Sequence, residues 1–83
     1  MRNVWIEVKT KSNTCQKVAK KLRKFPEIKE ADALFGNVDV MVLAEINDEK
    51  SDYLDEVEAL IGRIKKIPDV VTTVTRPVKR PKD

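Results

Sequence analysis

Two short stretches decide the fold: Leu22-Arg23-Lys24-Phe25-Pro26-Glu27-Ile28 and Ile64-Lys65-Lys66-Ile67-Pro68-Asp69-Val70. Both run apolar, basic, Lys, apolar, Pro, acidic, β-branched, at a spacing of 42 residues. Proline cannot continue a helix and biases the residue before it toward extended geometry. Each stretch therefore marks a helix ending and a strand beginning. Upstream of the first, Cys15, Val18, Ala19 and Leu22 recur at i, i+3, i+4 and i+7, an apolar helical stripe. Upstream of the second, Leu54, Val57, Leu60, Ile61 and Ile64 form a longer one. Ser12 or Asn13 is the expected cap of the first helix. The same spacing maps Cys15 onto Val57 and Val4 onto Ile46.

Strands fill the rest. Val4, Ile6 and Val8 alternate with Trp5, Glu7 and Lys9, which is strand periodicity. Residues 28–35 and 38–46 flank Gly36-Asn37, a tight turn signal because both residue types tolerate positive φ. Residues 70–76 are rich in valine and threonine. The order is βαββαβ. Two right-handed β-α-β units of this kind predict an α+β, ferredoxin-like domain. It has a four-stranded antiparallel sheet with both helices on one face. Residues 1–78 form that single domain, and 79–83 are expected to be a charged, frayed tail.

Parity sorts the two faces of the sheet. Val4, Ile6 and Val8, with Val38, Val40, Val42, Ala44 and Ile46, point to the helices. Trp5, Glu7 and Lys9, with Asp39, Met41, Leu43 and Glu45, point away. Trp5, Met41 and Leu43 thus gather where no helix covers them, and an exposed patch of that kind marks an interaction surface. A sheet-on-sheet homodimer is the reading favoured here. An RNA-binding sheet is the competitor, but it needs stacking aromatics where β3 offers Met41 and Leu43.

Composition bounds the function. The 83 residues carry 17 basic and 14 acidic side chains, a net charge of +3, which is too small an excess to argue for nucleic acid alone. There is no histidine and one cysteine, so neither a zinc ligand set nor an internal disulfide is available. No cofactor and no nucleophile–base pair is indicated, so an enzyme is not expected. No apolar run nears the ~20 residues of a membrane span. A cytoplasmic location is the default expectation.

One ordered combination resembles a known family. Gly36-x-x-Asp39 between apolar strands, then Ile67-Pro68-Asp69-Val70 closing a helix, then Thr73-x-Thr75, is similar to the effector-binding (RAM) domain of Lrp/AsnC feast/famine regulators. The resemblance spans about residues 3 to 78. It is to the effector domain without the helix-turn-helix partner, since the first strand begins at residue 3. It implies homodimers formed through the sheets, assembly into tetramers or octamers, and an amino-acid effector bound between dimers. It implies no direct operator recognition; a full-length regulator of the same family is the implied protein partner. It places Gly36, Asn37, Val38 and Asp39 on the turn side of the ligand site, with Thr73 and Thr75 supplying hydroxyls. Each has a plainer role: Gly36 and Asn37 as turn formers, Asp39 as a turn acceptor, the threonines as strand residues. A structural dimerisation module without a ligand stays open beside the effector reading.

Overall fold

A computed structural model describes residues 2–33, 39–47, 49 and 52–77. The elements are β1 (Arg2–Thr10), α1 (Cys15–Leu22), β2 (Ile28–Ala33), β3 (Asp39–Ile46), α2 (Tyr53–Lys65) and β4 (Val70–Pro77). The strands form one sheet in the order β2-β3-β1-β4, each antiparallel to its neighbour. This is the expected ferredoxin-like α+β arrangement. The turn residues Gly36, Asn37 and Val38 and the tail 79–83 lie outside the described residues.

The 42-residue repeat folds twice in the same way. Phe25 N–H donates to Leu22 C=O at 3.0 Å, and Ile67 N–H to Ile64 C=O at 3.1 Å. Ile28 N–H donates to Phe25 C=O, and Val70 N–H to Ile67 C=O, both at 3.1 Å. The two proline turns are then tied to the opposite half: Lys11 N–H reaches Asp69 C=O at 3.0 Å, and Glu45 N–H reaches Glu27 C=O at 2.8 Å. Their side chains cross over as well, with Lys17 at 3.4 Å from Asp69 and Arg63 paired to Glu27. The repeat does not extend to the strands. Val4 lies near the start of β1 and Ile46 ends β3, so they are not equivalent. α2 has 13 residues against 8 in α1, and the added turns change the offset upstream of the helices.

The helix ends correct two details. Thr14, not Ser12 or Asn13, is the N-cap of α1; its hydroxyl donates to Lys11 C=O at 2.6 Å instead of accepting from the helix. Asn13 takes φ 64° in the preceding turn, a left-handed conformation that asparagine tolerates. α2 starts at a true cap, with Asp52 accepting from Leu54 N–H at 3.3 Å. Asp55 and Glu56 in its first turn and Arg63 and Lys65 in its last complement the helix dipole.

The core lies between helices and sheet. Val4, Ile6, Val8, Val40, Val42, Ala44 and Ile46 from the strands meet Cys15, Val18, Ala19, Leu22, Val57, Leu60 and Ile64 from the helices, all buried. Cys15 is a packed small residue whose Sγ lies 3.1 Å from the Thr10 hydroxyl. Leu54 is not in the core but 62% exposed, and Ile61 is only half-buried. At 100° per residue Leu54 sits about 90° from the centre of the Val57/Leu60/Ile64 stripe. Tyr53 faces the core in its place, under the guanidinium of Arg2 at 4.7 Å from the ring centroid.

Candidate functional site

The open face of the sheet is set by register. Trp5 lies between Leu43 on β3 and Arg76 on β4; Glu7 lies between Met41 and Val74; Lys9 lies between Asp39 and Thr72. Residues opposite one another across antiparallel strands point to the same side. Trp5, Met41 and Leu43 therefore share the face away from the helices, and Val74 joins them. Trp5 and Val74 remain 38% and 39% exposed. Val74 was not anticipated, because β4 parity depends on a bulge: Thr10 pairs with Val70 and Lys9 with Thr72, which leaves Val71 between them.

Beside these apolar groups runs a line of charge. Lys9 Nζ is 2.9 Å from Asp39 Oδ1 and 3.6 Å from Glu7; Arg76 is 3.8 Å from Glu7. Asp39 Oδ1 is closed to solvent and meets no aligned hydrogen-bond donor among the described residues. Its contact with Lys9 is an ion pair. The Lys9 ammonium is raised above its ordinary pKa of 10.5, first by the Asp39 side chain and its charge and then by Glu7. Glu7, Lys9 and Arg76 belong to this arrangement and carried no site role in the sequence. Parity placed Glu7 and Lys9 on the face, but only the strand register sets Lys9 against Asp39.

Asp39 heads β3, and Gly36, Asn37 and Val38 precede it in the sequence, outside the described residues. Thr73 and Thr75 lie opposite Val8 and Ile6, on the helix side of the sheet. Asp39 lies on the other side, and β1 separates β3 from β4. A single copy of the chain therefore does not bring Asp39 together with the two threonines. Thr75 is exposed and Thr73 half-buried, so both hydroxyl-bearing positions border the surface of the β4 edge.

A concavity of about 250 Å³ lies elsewhere, lined by Glu27, Lys29, Glu45, Ile46 and Glu56 among others. Glu45 is six residues along β3 from Asp39, roughly 20 Å at strand rise. It is thus at the far end of the sheet from the turn. Lys29 is 3.8 Å from Glu45 within it. Among the described residues no group of acidic, histidine or cysteine side chains is arranged to hold a metal, and no helix is long and apolar enough to cross a membrane.

A family model for the Lrp/AsnC ligand binding domain matches residues 3–82. The chain belongs to that family. Two solved structures support the assignment. FFRP-DM1 superposes with a TM-score of 0.76 at 28% identity, over 95% of this chain and 100% of that one. A hypothetical protein from Pyrococcus horikoshii, PHS023, gives 0.76 at 27% identity over 98% and 93%. TTHA0845 from Thermus thermophilus shares the fold, with a TM-score of 0.81 over 100% and 99% at 18% identity. No curated protein matches the chain. Lrp/AsnC domains are oligomeric and bind small-molecule effectors.

Proposed function

We propose that this chain is an effector-binding regulatory domain that recognises an amino acid at a site completed by a second copy. The observation that carries the reading is the Lys9–Asp39 pair at the head of β3. It sets a fixed positive and a fixed negative group 2.9 Å apart. A free α-amino acid presents an ammonium and a carboxylate, and can meet Asp39 with one and Lys9 with the other through charge-assisted hydrogen bonds. Gly36, Asn37 and Val38, which precede Asp39 in the sequence, belong to the same proposed site.

The threonines fix the stoichiometry. Thr73 and Thr75 contribute to the same ligand only from another protomer, because in one chain they and Asp39 lie on opposite faces. Pairing of the open faces through Trp5, Met41 and Leu43 builds the homodimer, and further assembly to a tetramer or octamer brings second copies to the turn. Such a domain acts without chemistry on its ligand. It would work in the cytoplasm, changing the assembly of a full-length regulator of its own family.

Isothermal titration of the twenty amino acids tests this. At least one should bind the wild-type chain, and Asp39→Asn, nearly isosteric, should weaken that ligand by about tenfold or more, as expected for a charged hydrogen bond worth ~1.5–3 kcal/mol. An unchanged affinity in the variant would remove Asp39 from the site. Stable dimers that bind none of the twenty would instead favour a ligand-free dimerisation module, the second reading that the apolar open face supports. RNA is less well served: among the described residues Trp5 is the one aromatic on that face, and stacking platforms use several.

A further inference from the structure

The segment around α1 and the segment that enters α2 carry charge of opposite sign. Residues 11–24 contain six basic side chains and no acidic one, whereas residues 49–58 contain five acidic side chains and one basic. Neutralisation within the molecule is incomplete. Lys17 pairs with Asp69, and Arg23 lies 3.6 Å from Asp32 while its Nε donates to Ala31 C=O. Lys20, Lys21 and Lys24 have no ion-pair partner among the described residues, and neither do Asp55 and Glu58.

The outward face of α2 has two further features that the single chain does not explain. Leu54 is 62% exposed in the midst of the acids. Gly62 lies in the last turns of the helix, and a Cβ placed there would meet nothing within 4 Å. Glycine weakens a helix relative to alanine, and here no neighbour in the fold requires it. Asp55, Glu58, Ala59 and Gly62 fall on the arc opposite the buried stripe, with Leu54 and the exposed Lys65 at its edge. Its N-terminal half offers two carboxylates beside an apolar anchor, Ala59 and Gly62 leave it smooth enough for a second helix to approach closely, and Lys65 bounds it at the C-terminal end.

We infer that this outer face of α2 docks the basic face of α1 from a second copy of the chain, with Lys20, Lys21 and Lys24 meeting Asp55 and Glu58 and the small residues admitting the partner helix. Charge complementarity names the occupant: each copy carries both the acidic and the basic half of the contact. Both faces belong to the helix layer, so the contact is independent of the open sheet face. One copy then has an interface on each side of its sheet. Two different interfaces on opposite faces extend a dimer into a closed ring or an open chain, according to the rotation between them.

The test is light-scattering mass of the full chain in about 0.1 M and about 1 M salt, where the screening lengths are about 10 Å and about 3 Å. Wild type should be larger in the lower salt. Lys20→Glu/Lys24→Glu and Asp55→Lys/Glu58→Lys should each weaken this association by roughly tenfold or more. An equimolar mixture of the two variants should restore it as a mixed assembly. Gly62→Ala should raise the melting temperature of the dissociated chain by about 4–8 °C while lowering the mass in low salt. Reversals that leave the mass unchanged, or a mixture that stays dissociated, overturn the proposal. So does a Lys20→Glu/Lys24→Glu variant that loses binding to a duplex DNA probe but keeps its mass, since the basic face would then serve a different partner. The sheet-face dimer is read out separately, because it persists in high salt if that reading is right.

Discussion

Removing the indole of Trp5 should dissociate the sheet-face dimer while leaving the monomer folded. Trp5 is 38% exposed in the single chain. A large aromatic side chain offers up to about 250 Å², so about 95 Å² per copy is left for a partner to cover. At ~25 cal/mol per Å² that is about 2.4 kcal/mol per copy, and a two-fold interface contains the residue twice. Trp5→Ala should therefore weaken the dimer by at least about 50-fold, with an upper bound near 3,000-fold. Sedimentation equilibrium in about 1 M salt measures this without the helix-layer contact. Trp5 is the sole tryptophan, so wild-type emission gives a second readout and should move to the red on dilution through the dimer constant. Circular dichroism should show an unchanged fold, because the core residues Val4 and Ile6 on either side point the other way. A Trp5→Ala dimer as tight as wild type would refute the assignment of this face.

Three more outcomes follow from the packing and the charges. Leu22→Ala, at a fully buried position where the repeat begins, should cost about 2–5 kcal/mol in urea unfolding; a loss below 1 kcal/mol would show that the proline turn tolerates a gap. Lys9 has a folded pKa raised above 10.5, so its stabilising contribution is complete below that pH and is lost as pH rises through the folded value. The stability difference between wild type and Lys9→Met should accordingly be flat from neutral pH to about 10 and close at higher pH; a difference that already closes between pH 7 and about 9 would mean that another group controls it. Glu27→Gln, which weakens the tie to Arg63 across the two halves, should destabilise the chain by about 1 kcal/mol or less, as for other exposed pairs.

Much of the fold was legible because its signals are local. The proline turns at Pro26 and Pro68 announce themselves by composition, and their hydrogen bonds repeat as the spacing of 42 predicts. Face parity on β1 and β3 follows from strict alternation, so Trp5, Met41 and Leu43 could be placed together before any coordinates. The failures lie where geometry is not local. Equating Val4 with Ile46 assumed one offset for the whole repeat, although the longer α2 shifts it. Leu54 fitted the apolar count of α2 but not its angle, and Tyr53 took the inward position. Thr73 and Thr75 could be named from the resemblance, yet their side of the sheet depends on the bulge at Val71, which no period reveals. The Lys9–Asp39 pair is a cross-strand contact between residues thirty positions apart, and only register brings them together. The segregation of charge between the segment around α1 and the segment that enters α2 was visible in the sequence. What it lacked was the sight of Gly62 standing open beside it.

The central claim is that an amino acid is held where Asp39 and Lys9 meet, with Thr73 and Thr75 supplied by another copy. Backbone amide shifts of the isotopically labelled chain, recorded during titration with the tightest-binding amino acid, test it most directly. Two clusters of amides should be perturbed, one at Lys9 and Asp39 and one at Thr73 and Thr75, saturating together at a single affinity. Perturbations confined to Glu27, Glu45 and Glu56 around the far concavity, or to one cluster without the other, would contradict it.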